Sequence, residues 1–366
     1  MDNLFTLNSH EGFMSRAIEL AKKGHGNVSP NPMVGCVLVK DGEIIGEGYH
    51  EKYGERHAEV AAFNNAFKDP SEAIVYVNLE PCCISGQTPP CTEALIQNSV
   101  SEVYVGMLDP NPAVNGKGIE ALEKAGIKVH LGILKQESEK LNRPFAKWVN
   151  TGMPWVVAKV AQTMDGYMGV DSDSSIWMTG DEAKENTHSF RSTVDAILIG
   201  RKTAEVDNPS LTVREVSGRN PKRVILDTNR VLPYDLKMFQ DKEAETIVLC
   251  SSKRFDRTST HACQYVPVIE EGGLLSPEHV LRTLAQEGIL SIIVEGGQKV
   301  LQSFYDADLI DEIHMYTVPH ELKDAKLKNP IKISEDWSVR EELFLGNDQL
   351  IIAEKGVECL PELSKK

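Results

Sequence analysis

The most informative run in this chain is Ile74-Val75-Tyr76-Val77-Asn78-Leu79-Glu80-Pro81-Cys82, and Cys91 follows it nine residues later. The first six residues of the run have the length and apolar character of a buried strand. The reactive side chains come directly after that strand, where a loop begins. Upstream lies His57-Ala58-Glu59, at the start of a predicted helix. The run therefore predicts a strand of an internal sheet whose end carries a chemical site.

Helices and short apolar strands alternate on both sides of this run. In the first half, the sequence predicts helices after Ser9 and at 57–67, 92–97 and 118–125, and strands at 34–39, 44–49, 103–107 and 128–131. Asp41-Gly42, between the first two strands, is typical of a hairpin. The alternation favours an α/β layer with a largely parallel sheet.

The second half continues the alternation, without an internal repeat of the first. It predicts strands at 155–160, 196–200, 223–227, 246–250 and 292–295, and helices that end near Arg191, Glu287 and Tyr305. The first unit closes after Leu141-Asn142-Arg143-Pro144-Phe145, and Thr151-Gly152-Met153-Pro154 leads into the next strand. We therefore place two domains at 1–150 and 151–366.

Length and charge limit the possible functions. The chain has 366 residues, which at roughly 150 residues per domain also predicts two domains. Its 39 Lys and Arg against 54 Asp and Glu give a net charge of −15, which disfavours a nucleic-acid partner. The sequence contains no apolar run of the roughly 18 residues that a membrane span needs, and no signal-peptide pattern. We expect a cytoplasmic protein that acts on a small molecule, with neither a nucleic-acid nor a membrane partner.

The cysteines point to a metal rather than to disulfides. Their number, seven, is odd, which argues against a disulfide framework. His57, Cys82 and Cys91 together offer one imidazole and two thiolates, which suit Zn²⁺ and leave a fourth tetrahedral position for water. Cys83 is an alternative ligand to Cys82. Glu59, two residues from His57, is suited to carry protons between the zinc-bound water and a substrate.

The same residues follow a deaminase signature. Zinc-dependent nucleobase deaminases carry H-x-E followed by P-C-x-x-C. This chain keeps H-x-E and P-C, but eight residues separate its two cysteines where the signature has two. The longer loop, 83–90, can project into a substrate pocket. The alternatives are a structural zinc site in a non-catalytic protein and a deaminase or binding protein for nucleic acid.

Three motifs extend the similarity to one family. The motifs are Asn31-Pro32-x-Val34-Gly35, His57-Ala58-Glu59-Val60 and Glu80-Pro81-Cys82…Gly86-x-Thr88-Pro89-Pro90-Cys91. With them, the chain resembles the bifunctional deaminase–reductases of riboflavin biosynthesis over nearly its whole length. The resemblance implies a cytidine-deaminase-like three-layer domain, one zinc ion per chain on His57, Cys82 and Cys91, and Glu59 as proton donor and acceptor. It also implies that Asn31 and His50 contact the substrate.

The loop between the zinc cysteines departs from the family pattern. Members of the family usually carry Ser-His after Pro-Cys, and Lys or Arg before Thr-Pro-Pro-Cys. This chain has Cys83, Ile84 and Gln87 at those positions. A histidine and a cation suit a ribose phosphate, whereas isoleucine and glutamine remove that charge. A paralogue with another aminopyrimidine substrate or a weakened deaminase is therefore a further alternative.

The second half carries a glycine pair between a strand and a helix, in Val294-Glu295-Gly296-Gly297-Gln298. Glycines let a phosphate approach the backbone, and the helix N-terminus supplies N–H donors. The spacing is not the G-x-G-x-x-G of a Rossmann site. Taken alone, the pair is equally compatible with a structural turn.

The family resemblance gives this half a dihydrofolate-reductase-like α/β fold and a reductase activity. It rests on Thr163-Met164-Asp165-Gly166, Ser175-Ile176-Trp177, Thr203, Asp207-Asn208-Pro209-x-Leu211-Thr212-x-Arg214 and Glu295-Gly296-Gly297. It implies NADPH contacts from Ala161, Trp177, Thr203, Thr228, Gly297, Gln298, Lys299, Val300, Leu301, Gln302 and Ser303. It implies substrate contacts from Ser175, Arg191, Asp207, Leu211, Arg214 and Glu295. Arg191 and Arg214 suit the clamping of a phosphate, because guanidinium pairs bidentately with phosphate oxygens.

These implications combine into one expected function. We expect zinc-dependent hydrolytic deamination of a small phosphorylated aminopyrimidine, followed by NADPH-dependent reduction of its ribosyl side chain to ribityl. The resemblance also suggests a homo-oligomer, either a dimer or a tetramer, joined through the reductase half.

Overall fold

The computed structural model describes residues 9–85, 89–170, 178–256, 258 and 262–356. The chain divides into two compact units, Met1–Gly152 and Met153–Lys366. Gln87, Ser175 and Trp177, which the sequence analysis singles out, lie outside the described residues. Within the described residues, no helix has both the length and the hydropathy needed to cross a membrane.

The first unit alternates helices and strands along the chain. Its elements are α1 (His10–Lys22), β1 (Gly35–Lys40), β2 (Glu43–Tyr49), α2 (Ala58–Asn64), β3 (Ile74–Leu79), α3 (Cys91–Gln97), β4 (Glu102–Met107), α4 (Lys117–Lys124), β5 (Lys128–Leu131) and α5 (Lys135–Thr151). The first helix begins where predicted, because the Ser9 hydroxyl accepts a hydrogen bond from the Gly12 N–H at 3.0 Å.

The sheet of the first unit is mixed. In the described residues it has five strands in the order β2-β1-β3-β4-β5. The strands β3, β4 and β5 are parallel, whereas β1 is antiparallel to both β2 and β3. The antiparallel edge follows from the short Asp41-Gly42 turn, because a two-residue connection can join only antiparallel neighbours. The carboxyl end of β3 therefore lies in the interior of the sheet, directly before Pro81-Cys82.

Both faces of this sheet are covered, which gives three layers. Alternate side chains of β1 belong to different cores: Cys36 and Leu38 pack with α2, α3 and α4, whereas Val37 and Val39 pack with α1 and α5. Gly48 allows α2 to lie against β2, since an added Cβ would be 2.3 Å from the Ala62 nitrogen. The close contact keeps α2, with His57 at its start, at the sheet.

The second unit is larger and also alternates. Its elements are β6 (Trp155–Thr163), β7 (Tyr167–Gly169), α6 (Asp181–Arg191), β8 (Ala196–Gly200), α7 (Arg201–Asp207), β9 (Lys222–Leu226), α8 (Lys237–Gln240), β10 (Thr246–Ser251), β11 (Gln264–Val268), β12 (Glu270–Glu271), β13 (Leu274–Leu275), α9 (Pro277–Gln286), β14 (Ser291–Gly296), α10 (Gln298–Asp306), β15 (Glu312–Val318), β16 (Leu327–Lys328), β17 (Trp337–Leu345) and β18 (Asp348–Lys355).

A sheet of nine strands, counted over the described residues, runs β11-β10-β9-β8-β14-β6-β15-β18-β17. The first seven strands in this order, β11 through β15, pair in parallel with their neighbours. The last two, β18 and β17, add an antiparallel edge. One face packs on α9 and α10, while the other packs on α7 and α8. Because parallel strands end at the same edge of the sheet, the carboxyl ends of β9, β8, β14 and β6 lie side by side.

Candidate functional site

His57, Cys82 and Cys91 meet at one point of the first unit. Their ligand atoms all lie within 4.8 Å of one another, and no other His, Cys, Asp or Glu trio in the described residues comes together in this way. The Nδ1 atom of His57 is 3.2 Å from the Cys91 sulfur and 3.5 Å from the Cys82 sulfur. Around one tetrahedral zinc ion, bonds of about 2.0 Å to nitrogen and 2.3 Å to sulfur give an N···S separation of about 3.5 Å. The donor set therefore fits zinc in both chemistry and spacing.

The secondary structure explains why the three side chains meet. His57 is the N-cap of α2, Cys91 is the first residue of α3, and Cys82 follows the end of β3. The Cys91 backbone N–H donates to the Cys82 sulfur at 3.3 Å. Hydrogen bonding from the Cys91 thiol and from His57 lowers the pKa of Cys82 well below its usual range, which favours the thiolate form. A thiolate is the protonation state that a metal ligand requires.

The carboxyl group of Glu59 lies beside these ligands, in the first turn of α2. It is 3% exposed. Burial raises its pKa, and the negative charge of Cys82 adds to that effect. A carboxyl group with a raised pKa, next to a candidate metal site, is suited both to accept and to donate a proton.

Asn31 and His50 form a pair beside His57. The Asn31 side-chain amide donates to His50 Nε2 at 3.0 Å, and His50 Nδ1 donates to the Arg56 carbonyl at 3.1 Å. Burial lowers the pKa of His50, which agrees with a neutral ring that accepts on one nitrogen and donates on the other. The His50 and His57 rings are 5.6 Å apart, edge to face. The structure thus brings the pair next to His57, one of the three candidate metal ligands.

The loop after Cys82 presents the residues that depart from the family pattern. Cys83 is half-buried and Ile84 is 44% exposed. Burial raises the pKa of Cys83, so at neutral pH it remains a thiol, in contrast to Cys82. Gln87 lies outside the described residues.

Two buried carboxyl groups near Cys82 escaped the sequence analysis as site residues. Glu80, which the sequence analysis quotes only as part of a motif, is 3% exposed. Asp109, in the loop after β4, is 7% exposed. Burial raises the pKa of Asp109 to about 6, with smaller effects from Glu80 and Cys82. Asp109 follows the end of β4, the neighbour of β3. An acidic residue directly after a predicted internal strand is the sequence feature that could have identified it as a site residue.

In the second unit, Arg191 and Glu295 form a buried ion pair. Arg191 Nε donates to Glu295 Oε1 at 2.7 Å and Nη2 donates to Oε2 at 2.6 Å. Both side chains are 8% exposed. The Nε and Nη2 groups of Arg191 therefore bind Glu295 and do not face outward to a phosphate. This differs from the phosphate clamp that the sequence suggests for Arg191.

Arg214 is different, because its side chain is exposed. Its Nη1 donates to Thr212 Oγ1 at 3.0 Å, and its backbone N–H donates to His188 Nδ1 at 3.0 Å. His188 is fully buried in α6 and was not singled out from the sequence. Burial, together with the charges of Arg191 and Arg214, lowers the pKa of His188 to about 4. A neutral His188 thus ties the Arg214 segment to α6.

The described residues that are implied as cofactor contacts lie at or beyond the carboxyl ends of four neighbouring strands, β6, β8, β9 and β14. Ala161 is in β6, Thr203 is in α7 just after β8, Thr228 follows β9, and Gly297 is the N-cap of α10 after β14. An added Cβ on Gly297 would be 3.1 Å from Thr203 Oγ1. Ligands of open parallel sheets bind at this edge, and an uncapped helix N-terminus beside a glycine suits a phosphate.

The implied cofactor contacts in the first turns of α10 differ in how far their side chains are exposed. Leu301 has its side chain in the core and can offer only its backbone, whereas Lys299 and Gln302 are exposed. The remaining implied residues here are Gln298, whose side chain donates to the Lys328 carbonyl, Val300, and Ser303, whose hydroxyl donates to the Val300 carbonyl.

Among the implied substrate contacts, Asp207 and Leu211 lie on one segment. Asp207 ends α7 and is exposed, whereas Leu211 is 2% exposed with φ 52°, so only its backbone can face a substrate. Ser175 and Trp177, also implied, lie outside the described residues. Lys159 in β6 lies near Glu295 and Arg191: burial lowers its pKa, and the charge of Glu295 opposes that shift.

Comparison with known families agrees with both halves. Residues 7–107 match the family of the cytidine and deoxycytidylate deaminase zinc-binding region, and residues 154–322 match that of the RibD C-terminal domain. These matches confirm the expected fold: a cytidine-deaminase-like domain followed by a reductase domain of the dihydrofolate-reductase-like type.

Relatives that match most of the length of this chain are also RibD proteins. The riboflavin biosynthesis protein RibD of Bacillus amyloliquefaciens is 41% identical over 314 residues, which is 84% of this chain and 84% of the relative. The RibD of Aquifex aeolicus is 39% identical over 347 residues, 93% of this chain and 97% of the relative.

Solved structures give the same result. A crystal structure of a diaminohydroxyphosphoribosylaminopyrimidine deaminase/5-amino-6-(5-phosphoribosylamino)uracil reductase from Thermotoga maritima superposes with a TM-score of 0.83 at 35% identity, over 95% of this chain and 99% of the other. A structure of Acinetobacter baumannii RibD superposes with a TM-score of 0.82 at 34% identity over the same shares. The chain therefore belongs to the riboflavin biosynthesis protein RibD family, enzymes that join a zinc-binding deaminase domain to a reductase domain.

Proposed function

We propose that residues 1–150 deaminate 2,5-diamino-6-ribosylamino-4(3H)-pyrimidinone 5′-phosphate by hydrolysis, with one zinc ion per chain. Residues 151–366 then reduce the ribosyl side chain to ribityl with NADPH. The observation that carries the deaminase assignment is the meeting of His57, Cys82 and Cys91 beside the buried carboxyl group of Glu59. The whole-length similarity to RibD proteins carries the choice of substrate.

In the deaminase, the ligands and the proton carrier have separate tasks. His57, Cys82 and Cys91 would hold zinc, which supplies Lewis-acid activation of the water that attacks the pyrimidine. Glu59 accepts the first proton of that water on a carboxylate oxygen and delivers it to the ring nitrogen as the water oxygen bonds to the ring carbon. It then accepts the second proton from the added hydroxyl group and delivers it to the amine, which leaves as ammonia as the carbonyl forms. Its burial raises its pKa, which makes the protonated state accessible for the delivery.

Asn31 and His50 bind and orient the pyrimidine. The two side chains are joined by a 3.0 Å hydrogen bond, and His50 is further held by the Arg56 carbonyl. The pair is therefore rigid before substrate arrives, which reduces the entropy lost on binding. A neutral His50 adds no charge next to the attacking water.

In the reductase, NADPH supplies the hydride. Its phosphates are bound by backbone N–H groups of residues 297–303 at the start of α10, with further contacts from Ala161, Trp177, Thr203 and Thr228. Arg214, which is an exposed residue, binds the substrate phosphate. Ser175, Asp207 and the backbone of Leu211 bind the ribosylamino-pyrimidine. Glu295 faces the same site and is held in place by Arg191.

The setting of the enzyme is also a proposal. The net charge of −15 disfavours a nucleic-acid partner, and we propose a cytoplasmic enzyme for a small phosphorylated substrate. We propose a homo-oligomer, dimer or tetramer, which light scattering of the purified chain tests directly.

The decisive experiment is an end-point assay with the phosphorylated precursor, with and without NADPH, that follows both products. We expect only the deaminated product without NADPH and the ribityl product with it. Glu59→Gln should abolish deamination while the same chain still reduces the pre-deaminated intermediate. An unchanged deamination rate in Glu59→Gln contradicts the assignment, and activity only on a different aminopyrimidine supports a paralogue.

A further inference from the structure

The buried carboxylate of Glu80 organises the chain next to the zinc ligand Cys82. Glu80 directly follows β3, two residues before Cys82, and it is 3% exposed. Four backbone N–H groups donate to it: Asp109 at 3.2 Å and Gly116 at 3.0 Å to Oε2, and Gly118 at 2.9 Å and Ile119 at 3.3 Å to Oε1. One side chain thus binds both ends of an eleven-residue segment, 109–119, which leads from the end of β4 into α4.

The α4 helix explains why a carboxylate is needed there. The first N–H groups of any helix have no partner within it. The N-cap of α4 is Gly116, which has φ 74° and no side chain to accept from them. Glu80 supplies the acceptor from another part of the chain, at the positive end of the helix dipole, where a negative charge is favourable.

The capped helix is also packed directly on the Pro81-Cys82 segment. An added Cβ on Gly118 would lie 2.2 Å from the Pro81 carbonyl oxygen and 3.0 Å from Glu80 Oε1. The backbone of α4 and the backbone before Cys82 are therefore in contact, and the Glu80 hydrogen bonds keep them so.

On its other side, Cys82 is fixed by α3. The Thr92 N–H donates to the Cys82 carbonyl at 3.1 Å, and the Cys91 N–H donates to the Cys82 sulfur. The ligand is thus held from two sides, by α3 directly and by α4 through Glu80. We propose that Glu80 is a positioning residue of the zinc site, which fixes the Cys82 sulfur at the ligand position by anchoring α4 to the Pro81-Cys82 backbone.

This inference rests on the proposed zinc site, and the test uses the full zinc-loaded chain. In Glu80→Gln, the amide can accept with one oxygen, while its NH₂ group faces two N–H donors. We expect zinc to transfer to a colorimetric chelator about 10- to 100-fold faster than from the parent, as for other groups that support metal ligands. The reductase rate of the same chain should be unchanged, since it depends on the other unit.

Matched variants separate positioning from general loss of stability. Glu120→Gln makes the same change on the exposed face of α4 and should release zinc at the parent rate. Leu122→Ala removes a fully buried side chain of α4 and destabilises the helix without touching Glu80. We expect its thermal stability to fall at least as far as that of Glu80→Gln, while zinc release stays near the parent rate.

The outcomes decide the matter. Zinc release from Glu80→Gln within about twofold of the parent overturns the proposal, as does equally fast release from Leu122→Ala. If Glu80→Gln does not accumulate in folded form, Gly118→Ala, whose added Cβ pushes α4 away from the Pro81 carbonyl and from the Glu80 carboxylate, is judged by the same criterion. A parent chain that never binds zinc instead refutes the proposed deaminase.

Discussion

Arg191 holds Glu295 by two parallel hydrogen bonds, of 2.7 Å from Nε and 2.6 Å from Nη2, in a place where both side chains are 8% exposed. The two residues are 104 positions apart, on α6 and β14. Burial opposes both charges, yet the pair keeps the pKa of Glu295 lowered and that of Arg191 raised. The arrangement fixes a carboxylate at the carboxyl end of a central strand and makes Arg191 its support.

Arg191→Met should therefore destabilise the reductase unit. Removal of one partner leaves the Glu295 carboxylate buried without its bidentate donor, which typically costs about 3–5 kcal/mol. Urea unfolding of the full chain, with the loss of reductase activity as the signal for this unit, measures the change. Deaminase activity serves as the internal reference and should be lost at the parent urea concentration. A loss below about 1 kcal/mol contradicts the buried-pair interpretation.

Arg214→Met, in contrast to Arg191→Met, should weaken substrate binding rather than stability. Arg214 is an exposed residue, so stability should change little. The reductase KM for the phosphorylated substrate should rise about 10- to 100-fold, as expected for a lost charge-assisted hydrogen bond. Steady-state kinetics with the phosphorylated substrate and with its dephosphorylated form measure this. The two enzymes should have equal KM values for the dephosphorylated form. An equal rise for both substrates would place Arg214 away from the phosphate.

Local signals explain which parts of the fold the sequence predicts correctly. The strands β3 and β5 begin and end at the predicted residues, and α2 and α3 begin within one residue of them. In each case, apolar runs, caps and turns lie close together in sequence. The same locality placed His57, Cys82 and Cys91 at element ends, where the structure brings them together.

The α5 helix shows where such signals fail. The sequence predicts that the first unit closes after the stretch 141–145, which contains Pro144, and it predicts no helix there. In the structure, Pro144 lies inside a helix that runs from Lys135 to Thr151. Proline has no N–H to donate within a helix, and long-range contacts maintain α5 around it. Asn142 accepts from the Met33 N–H at 2.8 Å and donates to the Met33 carbonyl at 3.0 Å, 109 positions away. Such pairings, like that of Arg191 with Glu295, have no signature in a single sequence.

The loop between the zinc cysteines yields a prediction about substrate affinity. Ile84 and Gln87 stand where the family usually carries a histidine and a cation, and the Ile84 side chain is 44% exposed. The double substitution Ile84→His and Gln87→Lys should lower the deaminase KM for the phosphorylated precursor about tenfold, because a cation is restored near the phosphate. Zinc content and reductase kinetics should stay at parent values. An unchanged KM means that this chain binds the phosphate through other residues.

His188 gives a prediction about pH. Its folded pKa is about 4, below the value of about 6.5 expected in the unfolded chain. Because the unfolded state then binds the proton first, this group contributes stability above about pH 6.5 that is lost as the pH falls toward about 4. Between about pH 7 and about pH 5 the reductase unit should lose about 2 kcal/mol from this residue alone.

His188→Asn isolates that contribution. The Asn side-chain oxygen can take the place of Nδ1 and accept the Arg214 N–H, which in the parent lies 3.0 Å from it, but asparagine does not titrate. We expect the variant to keep the parent KM for the phosphorylated substrate and to lose about 2 kcal/mol less stability on acidification. His188→Leu, which removes the acceptor, should raise that KM because the Arg214 segment is released. Parallel stability losses in parent and His188→Asn would mean that His188 is not the group that titrates.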